Sequence, residues 1–421
     1  MENLIKNELV KNSQAVLKKA TDLSPSYQSA MKNALLAFEK ADLPSKKDED
    51  WRYTAISKNL SPRFYEQKES IVQSTPDVVL DQRGMIIFND GIFNKFLSVI
   101  PPGIELDSPV IEENFFDTFD TLNFGVAFSP LALIIKKNTV IEFPVTIVHL
   151  VDEAGVNKII SPRITITAED NTNVSFLEIF TSTAKEKLQY TTNAVTQFIL
   201  KNNAHIEHVK MQIEASNAVH IGLTEAHVNH GSHFYSMTLD YGLLTARHNI
   251  SVNLNDSSAE TSVHGLFSLN KTEHTDVFST IIHHAPHTTS NQLFKGILAG
   301  ESHGAFTGKI IIKQNAQQSS SSQLNKNLLL SKKAHIDTRP QLMVHADDVK
   351  CSHGATVGQL SREEEFYLES RGISKDQAKR MLMKGFAADV IYKIKNQQIR
   401  HMAEGLLVLN LESTVLSEMN L

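Results

Sequence analysis

The chain has 421 residues, enough for two or three hydrophobic cores or one elongated core, so its length does not choose an architecture. A formal net charge of -6 and a pI near 6.3 supply no basic footprint for nucleic acid or an anionic bilayer. The single cysteine excludes an intrachain disulfide framework and makes the cytoplasm the expected compartment.

Met1-Glu2-Asn3-Leu4-Ile5-Lys6 lacks the apolar stretch of a signal peptide. Apolar runs such as residues 131–135 fall far short of the roughly 18 residues a membrane helix requires, so a soluble protein is expected. Residues 1–82 read as a helical region followed by a connector. Leu4, Leu9, Val16 and Leu17, then Met31, Leu35, Leu36 and Phe38, recur near the helical period and predict a helical hairpin. It breaks at residues 22–25, where Ser24 can cap the second helix with Pro25 at its first position. Lys46-Lys47-Asp48-Glu49-Asp50 reads as a solvated charged connector anchored by Trp51, the only tryptophan.

Residues 83–346 change character to short runs rich in Val, Ile, Thr and Phe, among them 141–150, 163–167, 174–180, 195–200, 206–213 and 309–313. Long helical stretches between them are missing, which argues against alternating strand and helix. Polar turns recur at Asn171, Asn202, Gly231 and Asp256, and again at Glu301 and Lys332, at intervals of roughly 25 to 31 residues. Stacked β coils follow from that spacing, although an antiparallel meander can mimic it. Terminal helices are expected to cover the open ends of such a stack, whose strand edges invite association.

Histidine is abundant, with 18 copies. Of His283, His284 and His287, adjacent members point to opposite faces of a strand, so structural roles come first and His284 and His287 stand as secondary metal candidates. The glycines of residues 304–310 fail as a phosphate loop: their spacing is one residue short and Ile310 replaces the hydroxyl needed at magnesium. No Gly-x-Ser-x-Gly elbow is present. Residues 317–323, with four consecutive serines, read as an exposed loop or a polar ladder.

Residues 347–421 hold a signature segment and a second helical region. If the segment is extended, Cys351 and His353 share one face with Asp347 and Val349, and a thiolate and an imidazole can meet one metal ion. That is two ligands where a closed site generally takes about four. Ser361 with Glu364, Gly372, and Ser374 with Gln377 punctuate a helix-turn-helix pair. Ala378, Leu382, Phe386 and Val390, with Met381 beside them, form a stripe suited equally to the protein's own core or to a partner.

Residues 339–359, residues 365–373 and Gly385-Phe386-Ala387 resemble the C-terminal signature of the SufB/SufD family, which builds iron-sulfur clusters. Leu43-Pro44, Asp50-Trp51-Arg52-Tyr53-Thr54, Asn193-Ala194, Asn203-Ala204 and residues 289–296 agree, and the lone cysteine is similar to the SufD branch. The resemblance implies a mainly β protein, a right-handed parallel β-helix (β solenoid) between helical termini, acting as a non-catalytic scaffold. It implies a SufB-like paralogue at the end of the β-helix. It also implies a SufC-like ATP-binding cassette ATPase on the C-terminal helices, at Met381, Leu382, Phe386 and Val390. A nascent iron-sulfur cluster would lie at the shared interface against His353, with Cys351 beside it, and none would be held stably by the chain alone. A self-sufficient homodimeric scaffold and a polysaccharide-active β-helix enzyme are the alternatives.

Overall fold

Parallel strands joined through a strand of another sheet are the dominant pattern in the computed structural model, which describes residues 2–64, 78–112, 114–152, 155–183 and 188–419. Sheet I runs in order through Met85–Asn89, Val145–Val151, Asn173–Ser182, His205–Ile213, His233–Asp240, Glu260–Leu269, Thr289–Leu298, Ser319–Leu329 and Val349–Gly358. Sheet II runs through Leu131–Ile135, Arg163–Ala168, Thr191–Leu200, Val219–Val228, Thr245–Leu254, His274–His283, His303–Ile312 and His335–Val344. The chain alternates between the sheets, so it is a parallel β solenoid of stacked coils, as the turn spacing predicts. Pairing is in register: Val174, Ile206, Phe234, Thr261, Ser290, Ser321 and Cys351 form one column.

The corners explain the repeat. Asn171 and Asn203 adopt left-handed conformations with φ of 59° and 54°, which asparagine tolerates better than most residues. Their amides form a ladder, Asn203 donating to Asn171 and Asn171 to Asn138 at 3.3 and 2.9 Å. Inward side chains of both sheets, including Phe176, Phe198, Phe234, Phe267, Phe294 and Phe306, form the main core. Each such burial stabilises the coil by about 1.5–3 kcal/mol relative to exposure.

Helices α1 (Glu2–Lys19), α2 (Pro25–Lys40) and α3 (Thr118–Val126) cover the outer face of sheet II. Ser24 caps α2 with Pro25 behind it. Trp51 is buried against Phe119 and lies 4.5 Å from the Arg247 guanidinium. The Lys46–Asp50 connector is largely exposed, but Asp50 and Glu49 reach Lys309 and Arg339 of the solenoid. Helices α4 (Arg362–Ser370), α5 (Lys375–Ile391) and α6 (Gln397–Met419) form the C-terminal region, and α5 and α6 cover the outer face of sheet I. The terminal helices therefore clothe the sides of the stack. They do not cover its C-terminal end, contrary to the expectation that they close the open ends.

The interior also holds charge. Glu178 accepts from His149 and His208, both at 2.9 Å, and from Thr196. Burial opposes its ionisation, yet the two histidine hydrogen bonds hold it well below the usual carboxylate range. His220 links Lys210 to Glu214, at 2.9 and 2.7 Å, and burial holds it well below its ordinary pKa. Burial likewise lowers His248, takes His233, His274 and His283 to about 4, and takes His264 to about 3.

These imidazoles stay neutral when folded but charge in the unfolded chain below their ordinary pKa of 6.5. The unfolded chain then binds more protons, and stability falls as pH drops from 6.5 toward 4. His274 and His283 each contribute a loss of about 2 kcal/mol by about pH 5. Asp117 and Glu273, raised by burial to about 6 and about 7, together with Glu112 and Glu214, also raised by burial, act in the opposite direction but are outnumbered. Urea unfolding at about pH 7.5 and about pH 5 is expected to show a clearly lower midpoint in acid. An unchanged or higher midpoint would contradict the neutral-histidine interior.

Candidate functional site

Among the described residues, sheet pairing leaves two strands with one neighbour each at the C-terminal end: Val349–Gly358 pairs with Ser319–Leu329, and His335–Val344 with His303–Ile312. Their outer edges carry unpaired backbone donors and acceptors, the usual template for another chain. Met343, Val344 and Val357 are exposed there.

Register places the signature residues. Cys351 lies beside Ser321 and His353 beside Gln323, and both neighbours are buried. Cys351 and His353 therefore share the lumen-facing side of the last strand, as the two-residue period predicts. The strand begins at Val349, so Asp347 lies in the preceding bend and does not join that face in strand register. Cys351 is half-buried against the cluster of Ile310, Ile312 and Ala346, and burial pushes its thiol up despite a backbone hydrogen bond from Ser321. That shift favours the thiol over the thiolate. His353 is exposed.

The lumen turns polar toward this mouth. Ser290 bonds Ser321 at 2.8 Å, Gln323 donates to Gln292, and Gln292 donates to Ser279 at 2.6 Å. Asn325 accepts from Thr338 and from Asn327. The serine run is thus a polar ladder within a strand. Gly308 belongs to this lining: a Cβ there would collide with the Gln323 amide, so its glycine makes room for a ladder and not for phosphate.

The histidine trio does not converge. His283 is buried between Thr288 and Ser290, His284 bonds Asn253 at 3.1 Å, and His287 sits in a turn at φ 59°. His284 and His287 therefore do not make a site together. Among the described residues, a cluster with metal-ligand spacing is instead His303, His335 and Asp337. Sequence reading missed it because its period is one coil.

On the helices the predicted stripe divides. Val390 is fully buried with Met383, Ala387 and Ile391 against sheet I, so it cannot meet a partner, and Ala378 is also fully buried. Phe386 is half-buried beneath Lys295, whose Nζ bonds its carbonyl at 2.6 Å and pairs with Asp389. Leu382 is half-buried, whereas Met381 is 52% exposed. Helix α4 buries none of its residues, and Phe366 and Tyr367 are 72% and 58% exposed. It ends in a Schellman turn, with Ile373 N–H on Leu368 and Gly372 N–H, at φ 85°, on Glu369. Ser374 and Gln377 then form a full capping box for α5. A cleft of about 340 Å³ lies where α4 and α5 meet the last coils, with Lys332, Arg362, Lys375 and Lys379 outnumbering Glu365 and Asp376.

Two unpaired strand edges around a polar mouth, beside an exposed amphipathic helix, define a β-solenoid protein with one end open to association. The pattern described as SUF system FeS cluster assembly, SufBD core domain, matches residues 149–386, and the chain belongs to that SufB/SufD family. It is similar to an iron-sulfur cluster assembly SufBD family protein of Synechocystis, with 29% identity over 84% of each chain. It is similar to the iron-sulfur cluster assembly protein SufD of Escherichia coli, with 26% identity over 90% of this chain and 91% of the other. Protein ABCI7, chloroplastic, of Arabidopsis thaliana is 29% identical over 86% of this chain and 81% of its own. No helix among the described residues is long and apolar enough to cross a membrane.

The divided stripe has a direct test in two methionines of α5. Met383→Ala is expected to cost about 2–5 kcal/mol of stability, and Met381→Ala no more than about 0.5 kcal/mol. Equal losses in chemical denaturation would contradict the placement of Met381 on the outer surface.

Proposed function

We propose that the chain is a non-catalytic scaffold subunit of a SufBCD-type complex, working in the cytoplasm with a nascent iron-sulfur cluster as its cargo. The observation that carries the reading is the open C-terminal end, where both sheets stop unpaired and the lumen presents Cys351 and His353. A SufB-like paralogue extends the sheets across that end and supplies the thiolates this chain lacks. Two ligands here and the rest from the paralogue meet the usual requirement of about four. Imidazole holds iron less tightly than thiolate, so His353 is the ligand that lets the cluster leave. Cys351 loses its proton when metal arrives and otherwise serves the packing of the last coil.

A SufC-like ATP-binding cassette ATPase docks on the outer surface of α4 and α5, using Met381, Leu382 and the open side of Phe386 together with Phe366 and Tyr367. ATP-driven movement there rearranges the shared interface and the cluster bound in it. The same edges also fit a second copy of this chain, which would bring two cysteines and two histidines together.

Anaerobic affinity purification of the tagged chain, with mass spectrometry and a visible spectrum, tests the assembly. Stoichiometric recovery of an ATP-binding cassette protein and a cysteine-rich paralogue is expected, and a lone homodimer would overturn the paralogue. His353→Ala is expected to keep the complex while lowering cluster yield several-fold. Unchanged yield at equal complex abundance would remove His353 as a necessary ligand.

A further inference from the structure

His274, His303 and His335 each open a strand of sheet II and stand in one register column. In-register parallel strands lie about 4.8 Å apart, and these rings stack accordingly, with centroids 4.7 and 5.3 Å apart. His274 is tied to Thr54 at 3.0 Å, so the inner end of the column is fixed. The outer end is different. Asp337, two residues beyond His335 on the same face, places its Oδ2 at 2.9 Å from His303 Nε2 and 3.4 Å from His335 Nε2. The three ligand atoms all lie within 4.8 Å of one another.

We propose that His303, His335 and Asp337 form an open, three-ligand site for a divalent first-row transition metal, distinct from the face that carries Cys351 and His353. A metal bound to nitrogen and oxygen at about 2.0–2.2 Å sets neighbouring ligand atoms about 3 Å apart in an octahedron and about 3.4 Å apart in a tetrahedron. Both distances to Asp337 are in this range. The remaining gap, between the two imidazoles, closes by rotation of His335, whose side chain is 67% exposed on the unpaired edge strand. Two imidazoles and one carboxylate select iron(II), zinc or cobalt over magnesium and calcium, which prefer all-oxygen sites. Three protein ligands leave positions for water, so metal can exchange. The inference stands on this cluster alone and does not depend on the scaffold reading.

Anaerobic titration of the full chain with Co²⁺, followed by its visible absorption, tests the site. One equivalent is expected to bind, with affinity falling more than about 10-fold in His335→Ala and in Asp337→Asn. Because His335 is exposed, its variant should melt as the parent does. The double variant Cys351→Ser with His353→Ala is expected to bind Co²⁺ unchanged. Fe²⁺ and Zn²⁺ should displace the probe, and a large excess of Mg²⁺ should not. Binding that survives His335→Ala, disappears instead in the Cys351 and His353 variant, yields to Mg²⁺, or is not seen at all would each overturn the proposal.

Discussion

Every strand of a parallel solenoid takes its backbone partners from the coils before and after it, so the last strand at each end has one edge of backbone groups with no coil to bond. This chain treats its two ends differently. At the start, Ile92–Phe93 lies antiparallel to Met85–Asn89, and Ile104–Asp107 lies antiparallel to Leu131–Ile135, short strands that limit the exposed edge. At the other end, two ten-residue strands stop with their outer edges bare. The polar mouth and the only thiol lie at that end, with Met343, Val344 and Val357 exposed beside them. An edge of this length is a liability in a solitary protein, and its retention fits a surface that is normally paired.

The interior makes the register of the stack specific. Apolar columns alone tolerate a slip, since one Val or Phe replaces another at similar cost. Glu178 between His149 and His208, and His220 between Lys210 and Glu214, do not, because losing one partner leaves a charge buried. Gly222 belongs to the same arrangement: a Cβ there would collide with Lys210 Nζ and His220 Nε2. The later coils carry polar pairs of their own in the same register, Ser290 with Ser321 and Gln292 with Gln323, which lead to Cys351 and His353 at the mouth.

Local signals were legible in the chain because they act over a few residues. Ser24 with Pro25, Ser374 with Gln377, and Gly372 after α4 each mark a helix end through contacts at most five residues away. The two-residue period likewise put Cys351 and His353 on one face. Periodicity says that a face is buried but not against what, so the terminal helices were assigned to the ends of the stack when they lie on its sides. The α5 stripe failed for a geometric reason. Ala378 and Val390 at its two ends are fully buried while Leu382 and Phe386 are half-buried, so steps of four residues trace the border of the covered face and leave only Met381, off that line, on the outside. The His303, His335 and Asp337 cluster needs two successive coils to be seen, and their unequal lengths hide it from any fixed-period search.

Lys295 joins the two surfaces on which the functional reading depends. Its backbone lies in Thr289–Leu298, and its register column continues through Lys326 to Thr356 of the edge strand. Its ammonium leaves the sheet to bond the Phe386 carbonyl, cover the Phe386 ring and pair with Asp389 on α5. Glu207 adds a second attachment, accepting the backbone N–H groups of Lys395 and Asn396 before α6. Helix α4 has no comparable hold, since none of its residues is buried. The packed route from α4 to the solenoid therefore runs through α5 and Lys295, two strands from the open edge.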